Sequence, residues 1–150
     1  MAAANYDIKA DQGSTFIFNV SYLDSSESVV DLTDYSASMQ VRKSMFTDKI
    51  LLSATGNTTD GTVVGGGSTG YFVSGTGSST TGTGGIYLNA STGGTTGSGS
   101  NTGGIYISVD ATTMKNVPRG LHFYDLELTV GSVVTRVLEG RFVVEGEITR

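Results

Sequence analysis

Residues 121–144 read LHFYDLELTVGSVVTRVLEGRFVV. In the first half His122, Tyr124, Leu126, Leu128 and Val130 share one parity, with Asp125, Glu127 and Thr129 on the other. A period of two, apolar on one side and polar on the other, is the pattern of a strand with one face on a core and one in water. The second half repeats it, with Val134, Leu138, Phe142 and Val144 on one face and Glu139 and Arg141 opposite. Val130-Gly131-Ser132 between the two halves predicts a tight turn. Gly140, inside the second arm, predicts a β-bulge. Asp125 and Glu127 on the outward face are placed to pair with Arg136 or Arg141 across the hairpin. This stretch predicts a β-domain and, by itself, no reaction.

The same alternation recurs upstream. Ser14–Leu23 places Phe16, Phe18, Val20 and Tyr22 on one face, and three aromatics there predict that it faces the core. Asp24–Ser28 is turn chemistry. Val29–Thr33 reads as a short extended piece. Ser36–Lys43 alternates again, with Ala37, Met39 and Val41 inward, and Ile50-Leu51-Leu52 is a further apolar run. Downstream, Ile105, Ile107 and Val109 point inward, Ala111–Asn116 allows about one helical turn, and Pro118-Arg119-Gly120 forms the loop before the terminal hairpin. No stretch keeps a 3.6-residue period over three turns, so little helix is expected. About seven core strands with turns between them predict a single β-sandwich domain over 1–150.

Two segments stand apart. Residues 1–13 read as a polar leading arm. Residues 56–104 hold 17 of the chain's 22 glycines, and Asp60 is the one charged residue among them. Three short apolar beats interrupt this Gly/Ser/Thr background: Tyr71-Phe72-Val73, Ile86-Tyr87-Leu88 and Ile105-Tyr106-Ile107, the last two each preceded by Gly-Gly. A flexible linker has no use for such aromatics. The expectation is an insertion carrying one or two short hairpins, adding little to the core, with Tyr71, Phe72, Tyr87 and Tyr106 as its assembly or glycan contacts.

Composition excludes much. The chain has 150 residues, no cysteine, one histidine and a net charge of −5. Thiol chemistry and thiolate metal sites are out, a single histidine forms no His-pair site, and an acidic chain is a poor nucleic-acid binder. No apolar run approaches ~20 residues, and the first residues lack the pattern of a signal peptide, so neither membrane nor secretion is expected. His122 sits on the inward parity without an evident acid and nucleophile beside it. No Walker-type loop or calcium-loop spacing occurs. No catalytic, cofactor-binding or metal-ligating residue is expected, and no cofactor.

Three strings together resemble a known family: Gly13-Ser14-Thr15-Phe16; Val30-Asp31-Leu32-Thr33-Asp34-Tyr35-Ser36-Ala37-Ser38-Met39-Gln40-Val41-Arg42; and Tyr124-Asp125-Leu126-Glu127-Leu128 with Arg136-Val137-Leu138-Glu139-Gly140-Arg141-Phe142. Their order is similar to that in the immunoglobulin-like domain of tailed-bacteriophage virion proteins, akin to the N-terminal domain of BppU-type upper baseplate proteins. The likeness covers roughly residues 6–54 and 105–150. It implies an immunoglobulin-like sandwich in a non-enzymatic structural protein of the virion, made in the host cytoplasm. The location implied is tail, baseplate or neck, in symmetric copies contacting other virion proteins through the arm and the insertion. Capsid decoration is the alternative within that class. A carbohydrate-binding module for host attachment, using the tyrosines, is the alternative outside it.

Overall fold

The computed structural model describes residues 3–32, 34–44, 46, 50–59, 62–64, 84–90, 100–115 and 117–146. They form ten strands and one short helix: β1 (Ala4–Asn5), β2 (Ile8–Asp11), β3 (Phe16–Ser21), β4 (Ser36–Arg42), β5 (Ile50–Thr59), β6 (Thr62–Val64), β7 (Gly84–Ala90), β8 (Ser100–Val109), α1 (Ala111–Lys115), β9 (Gly120–Val130) and β10 (Val133–Glu145). The larger sheet runs β1-β10-β9-β4-β5-β6, with β2 beside β1 on the same edge of β10. The smaller runs β3-β8-β7. Two sheets face each other over one apolar layer, an all-β sandwich.

The terminal hairpin is the centre of the larger sheet. Gly131, at φ +58°, opens the two-residue turn, a position that glycine fills without strain. β9 alternates as its sequence predicts: His122, Tyr124, Leu126 and Leu128 are buried. Across it lie Phe142 and Val144 of β10 and Ala37, Met39 and Val41 of β4, all buried. From the smaller sheet Phe16, Ile86, Leu88, Ile105, Ile107 and Val109 close the layer. α1 seals one end, with Met114 and the following Val117 fully buried. An aromatic chain crosses the layer: Tyr124 to Phe142 at 6.3 Å between centroids, Phe142 to Phe16 at 5.4 Å, and Phe16 to Phe18 at 6.5 Å.

Three expectations are corrected. The bulge in the hairpin falls at Val137, between the pairs Arg136↔Glu127 and Leu138↔Leu126, and not at Gly140. One extra residue reverses side-chain parity on the turn side of the bulge. Val134, expected inward, is therefore 58% exposed, and Thr135 takes the position opposite Leu128. Gly140 has another role. A Cβ there would overlap the Tyr6 carbonyl, lying 2.9 Å from its carbon, because the leading arm crosses β10 at that point.

The second correction is the arm itself. Ala4–Asn5 and Ile8–Asp11 pair in parallel with β10 of the same chain, and Ile8 and Ala10 belong to the core. The Tyr124 hydroxyl donates to the Tyr6 carbonyl at 2.6 Å, and the Asp7 carboxylate accepts from the Arg141 amide. The arm looks polar in sequence because only two of its residues, Ile8 and Ala10, are buried.

The third concerns residues 56–104. The stretch does contain two hairpins, β5–β6 and β7–β8. However, β7 and β8 are strands of the sandwich: Ile86 and Leu88 are fully buried, and the second half of β8, from Gly104 to Val109, pairs with the whole of β3. Asn89 locks this arrangement at the irregularity between Leu88 and Ala90. At φ +54° it turns its amide so that Oδ1 accepts from the Leu32 and Gly103 amides, each at 3.0 Å, while Nδ2 donates to Asp31.

Candidate assembly surface

The residues that fill the core from β7 and β8 also decide what those strands show to solvent. With Ile86, Leu88, Ile105 and Ile107 inward, Tyr87 and Tyr106 must lie on the outer face. They are cross-strand partners, with ring centroids 6.0 Å apart and planes at 57°. Each is half-buried. Asn19 of β3 extends the same row beyond Tyr106. The row beside it is Gly85, Ser108 and Ile17. Gly85 and Ser108 are too small to cover the rings, and Ile17 is a large aliphatic side chain left 57% exposed.

Of the four contact residues expected from sequence, Tyr87 and Tyr106 are thus brought together on one exposed face. Tyr71 and Phe72 lie outside the described residues. Ile17 and Asn19 were not singled out from the sequence. Their signal was present in β3, whose inward Phe16 and Phe18 force Ile17 and Asn19 outward.

Charges lie elsewhere. On the outer face of the larger sheet the Arg136 guanidinium stands 3.4 Å from Asp125, 3.9 Å from Glu127 and 3.5 Å from Glu139. Here the expected cross-hairpin pairing is realised, with Arg136 as its centre. All four side chains are about a third exposed or more, so each pair is worth at most about 1 kcal/mol. His122 is buried, and its Nε2–H donates to the Pro118 carbonyl at 2.6 Å, which holds the loop that follows α1. Its Nδ1 has no hydrogen-bond partner among the described residues. Tyr124 is the one described group whose ionisation is clearly displaced: burial first, then the Asp7 charge, hold its phenol well above the ordinary 10.0.

Among the described residues no three or more His, Asp or Glu side chains are grouped to hold a metal ion, and no helix is long and apolar enough to cross a membrane. No protein-family model matches the chain, and no curated protein matches it in sequence.

Proposed function

We propose that this chain is a non-enzymatic structural component of a tailed-phage virion, located at the tail, baseplate or neck and present in symmetric copies that contact other virion proteins. One observation carries the reading. Of the strings that resemble the phage family, Ser36–Arg42 is β4, Tyr124–Leu128 lies in β9 and Arg136–Phe142 in β10, three adjacent strands of one sheet, while Gly13–Phe16 leads into β3 of the other. Three of the four segments that carry the likeness thus form one contiguous part of the sandwich. Assignment of the sandwich to the immunoglobulin-like class belongs to the same proposal.

The assembly contact in this reading is the outer face of the smaller sheet. Tyr87, Tyr106 and Ile17 offer rigid aromatic and aliphatic surface ringed by small polar residues, a composition suited to a protein interface. The 57° between the two rings leaves no shared plane on which one sugar could lie, which weighs against the glycan alternative at these tyrosines. Among the described residues β3 is an edge strand of the smaller sheet, and an edge strand can accept a neighbour's strand.

Purified particles of the virus that encodes the chain provide the test. Mass spectrometry should find it at an integer stoichiometry, and antibody labelling should place it at one end of the particle. A Tyr87→Ser/Tyr106→Ser variant that folds should be lost from the particles. Absence of the native chain from particles overturns the proposal; incorporation of the variant at the normal level overturns the choice of surface.

A further inference from the structure

Among the described residues Phe46, in the connection from β4 to β5, is the most exposed large apolar side chain, at 93%. Toward the other end of the sandwich a cleft of about 210 Å³ is lined by both sheets. We propose that Phe46 of one copy seats in this cleft of the next, so that copies of the chain join head to tail.

The knob and the cleft each have a local cause. β4 ends at Arg42, and beyond it the Phe46 amide donates to the Ser44 hydroxyl at 3.1 Å, a tight turn that leaves the ring outside the core. A single exposed apolar residue is ordinary. What gives this one meaning is a complementary feature on the same chain. Val137, the extra residue of the β10 bulge, and Leu138 line the cleft from the larger sheet, with Val20, Tyr22, Leu23 and Ile105 from the smaller. Leu23 is 41% exposed, so the cleft has an apolar mouth as well as an apolar floor. Its volume is below the roughly 300–1,000 Å³ of sites for whole small molecules and suits one large side chain.

Register keeps the two apart. The cleft opens beside Leu138 and Arg136, in the rows of Met39 and Ser38, whereas β4 runs on past Val41 to Arg42 before it turns toward Phe46. Knob and cleft therefore lie toward opposite ends of the sandwich, and a chain cannot fill its own cleft.

Charge follows the same polarity. The segment from Tyr22 to Tyr35, which leaves the cleft for β4, holds Asp24, Glu27, Asp31 and Asp34 and no Lys or Arg. Arg136, at the rim of the cleft, is already held by three carboxylates. At the end that carries Phe46, Lys43, Lys115 and Arg119 are exposed. With Lys9 they make four described cations there, against the three anions Asp11, Asp110 and Glu145. Opposite signs at opposite ends favour head-to-tail encounters and set like charges against each other head to head. The net charge of −5 disfavours an anionic membrane surface as the partner of the ring.

Because knob and cleft are different surfaces, the contact is heterologous, and every added copy presents a fresh knob or a fresh cleft until a ring closes or a filament grows. It lies apart from Tyr87 and Tyr106 and does not depend on the virion reading.

Sedimentation velocity on the full chain, at concentrations up to roughly 1 mM, tests this. The wild type should form species larger than a dimer that grow with concentration and shrink as salt rises. Phe46→Ser and Leu23→Asp should each weaken association tenfold or more, and Leu23→Ser covers a Leu23→Asp that fails to fold. Mixed in equal amounts, the knob variant and the cleft variant should form dimers and nothing larger, since one keeps an intact cleft and the other an intact knob. Tyr87→Ser/Tyr106→Ser should associate as the wild type does. A monomeric wild type, undiminished association of Phe46→Ser, absence of dimers from the mixture, or loss of association in the tyrosine variant would each overturn the proposal.

Discussion

At Phe142 the reading of the chain can be checked with one substitution. Its side chain is fully buried between Phe16 and Tyr124, where both sheets meet. Phe142→Ala removes most of a ring from a layer that cannot collapse around it, and should cost about 3–5 kcal/mol in urea unfolding. Tyr124→Phe tests a smaller feature. It removes the donor from a half-buried carbonyl and should cost about 1–3 kcal/mol. It should also change the response to alkali. Since the folded-state pKa of Tyr124 lies above its unfolded value, the stability tied to its neutral form is complete below pH 10.0 and is lost as pH rises beyond it. The wild-type midpoint should fall in that range, and the Phe variant should show a flatter decline. Most inward positions were legible because a period of two needs only residue identity. Val134 was not, because the extra residue at Val137 is chemically an ordinary strand valine. Gly140, the visible irregularity nearby, answers to a chain crossing from far away in sequence.

Among the elements, β7 is where composition concealed structure. Gly84–Ala90 carries only two inward residues, Ile86 and Leu88, within a glycine-rich background that favours flexibility. What makes it a strand is the partner it finds in β8, whose own beat repeats its pattern. Replacement of 65–83 by a short Gly/Ser linker should therefore leave a folded sandwich, with a midpoint within a few degrees of wild type, since loop length enters stability only logarithmically. Replacement of the whole of 56–104 removes β7 and part of β8. Circular dichroism melting should then show no cooperative transition, as Ile86, Leu88 and the Asn89 lock go with it. Asn89→Ala alone leaves the Leu32 and Gly103 amides without their acceptor and should cost about 2–4 kcal/mol, each buried donor contributing ~1–2.

For the molecule as a whole, the parallel pairing of β1 and β2 with β10 sets the order in which the fold can be completed. The smaller sheet, β3, β8 and β7, is fully synthesised by Val109. Its cover is made last: β9 and β10 occupy the roughly 36 residues from there to Glu145, about 2–7 s of translation at ~5–20 residues per second. Throughout that interval Ile86, Leu88, Ile105 and Ile107 have no opposite layer from the hairpin, and the leading arm has no strand to join. The hazard for this protein is therefore a matter of timing, a greasy half-sandwich waiting on its lid. Slowing the ribosome between Val109 and Gly120 should raise the aggregated fraction, while synonymous acceleration there should lower it.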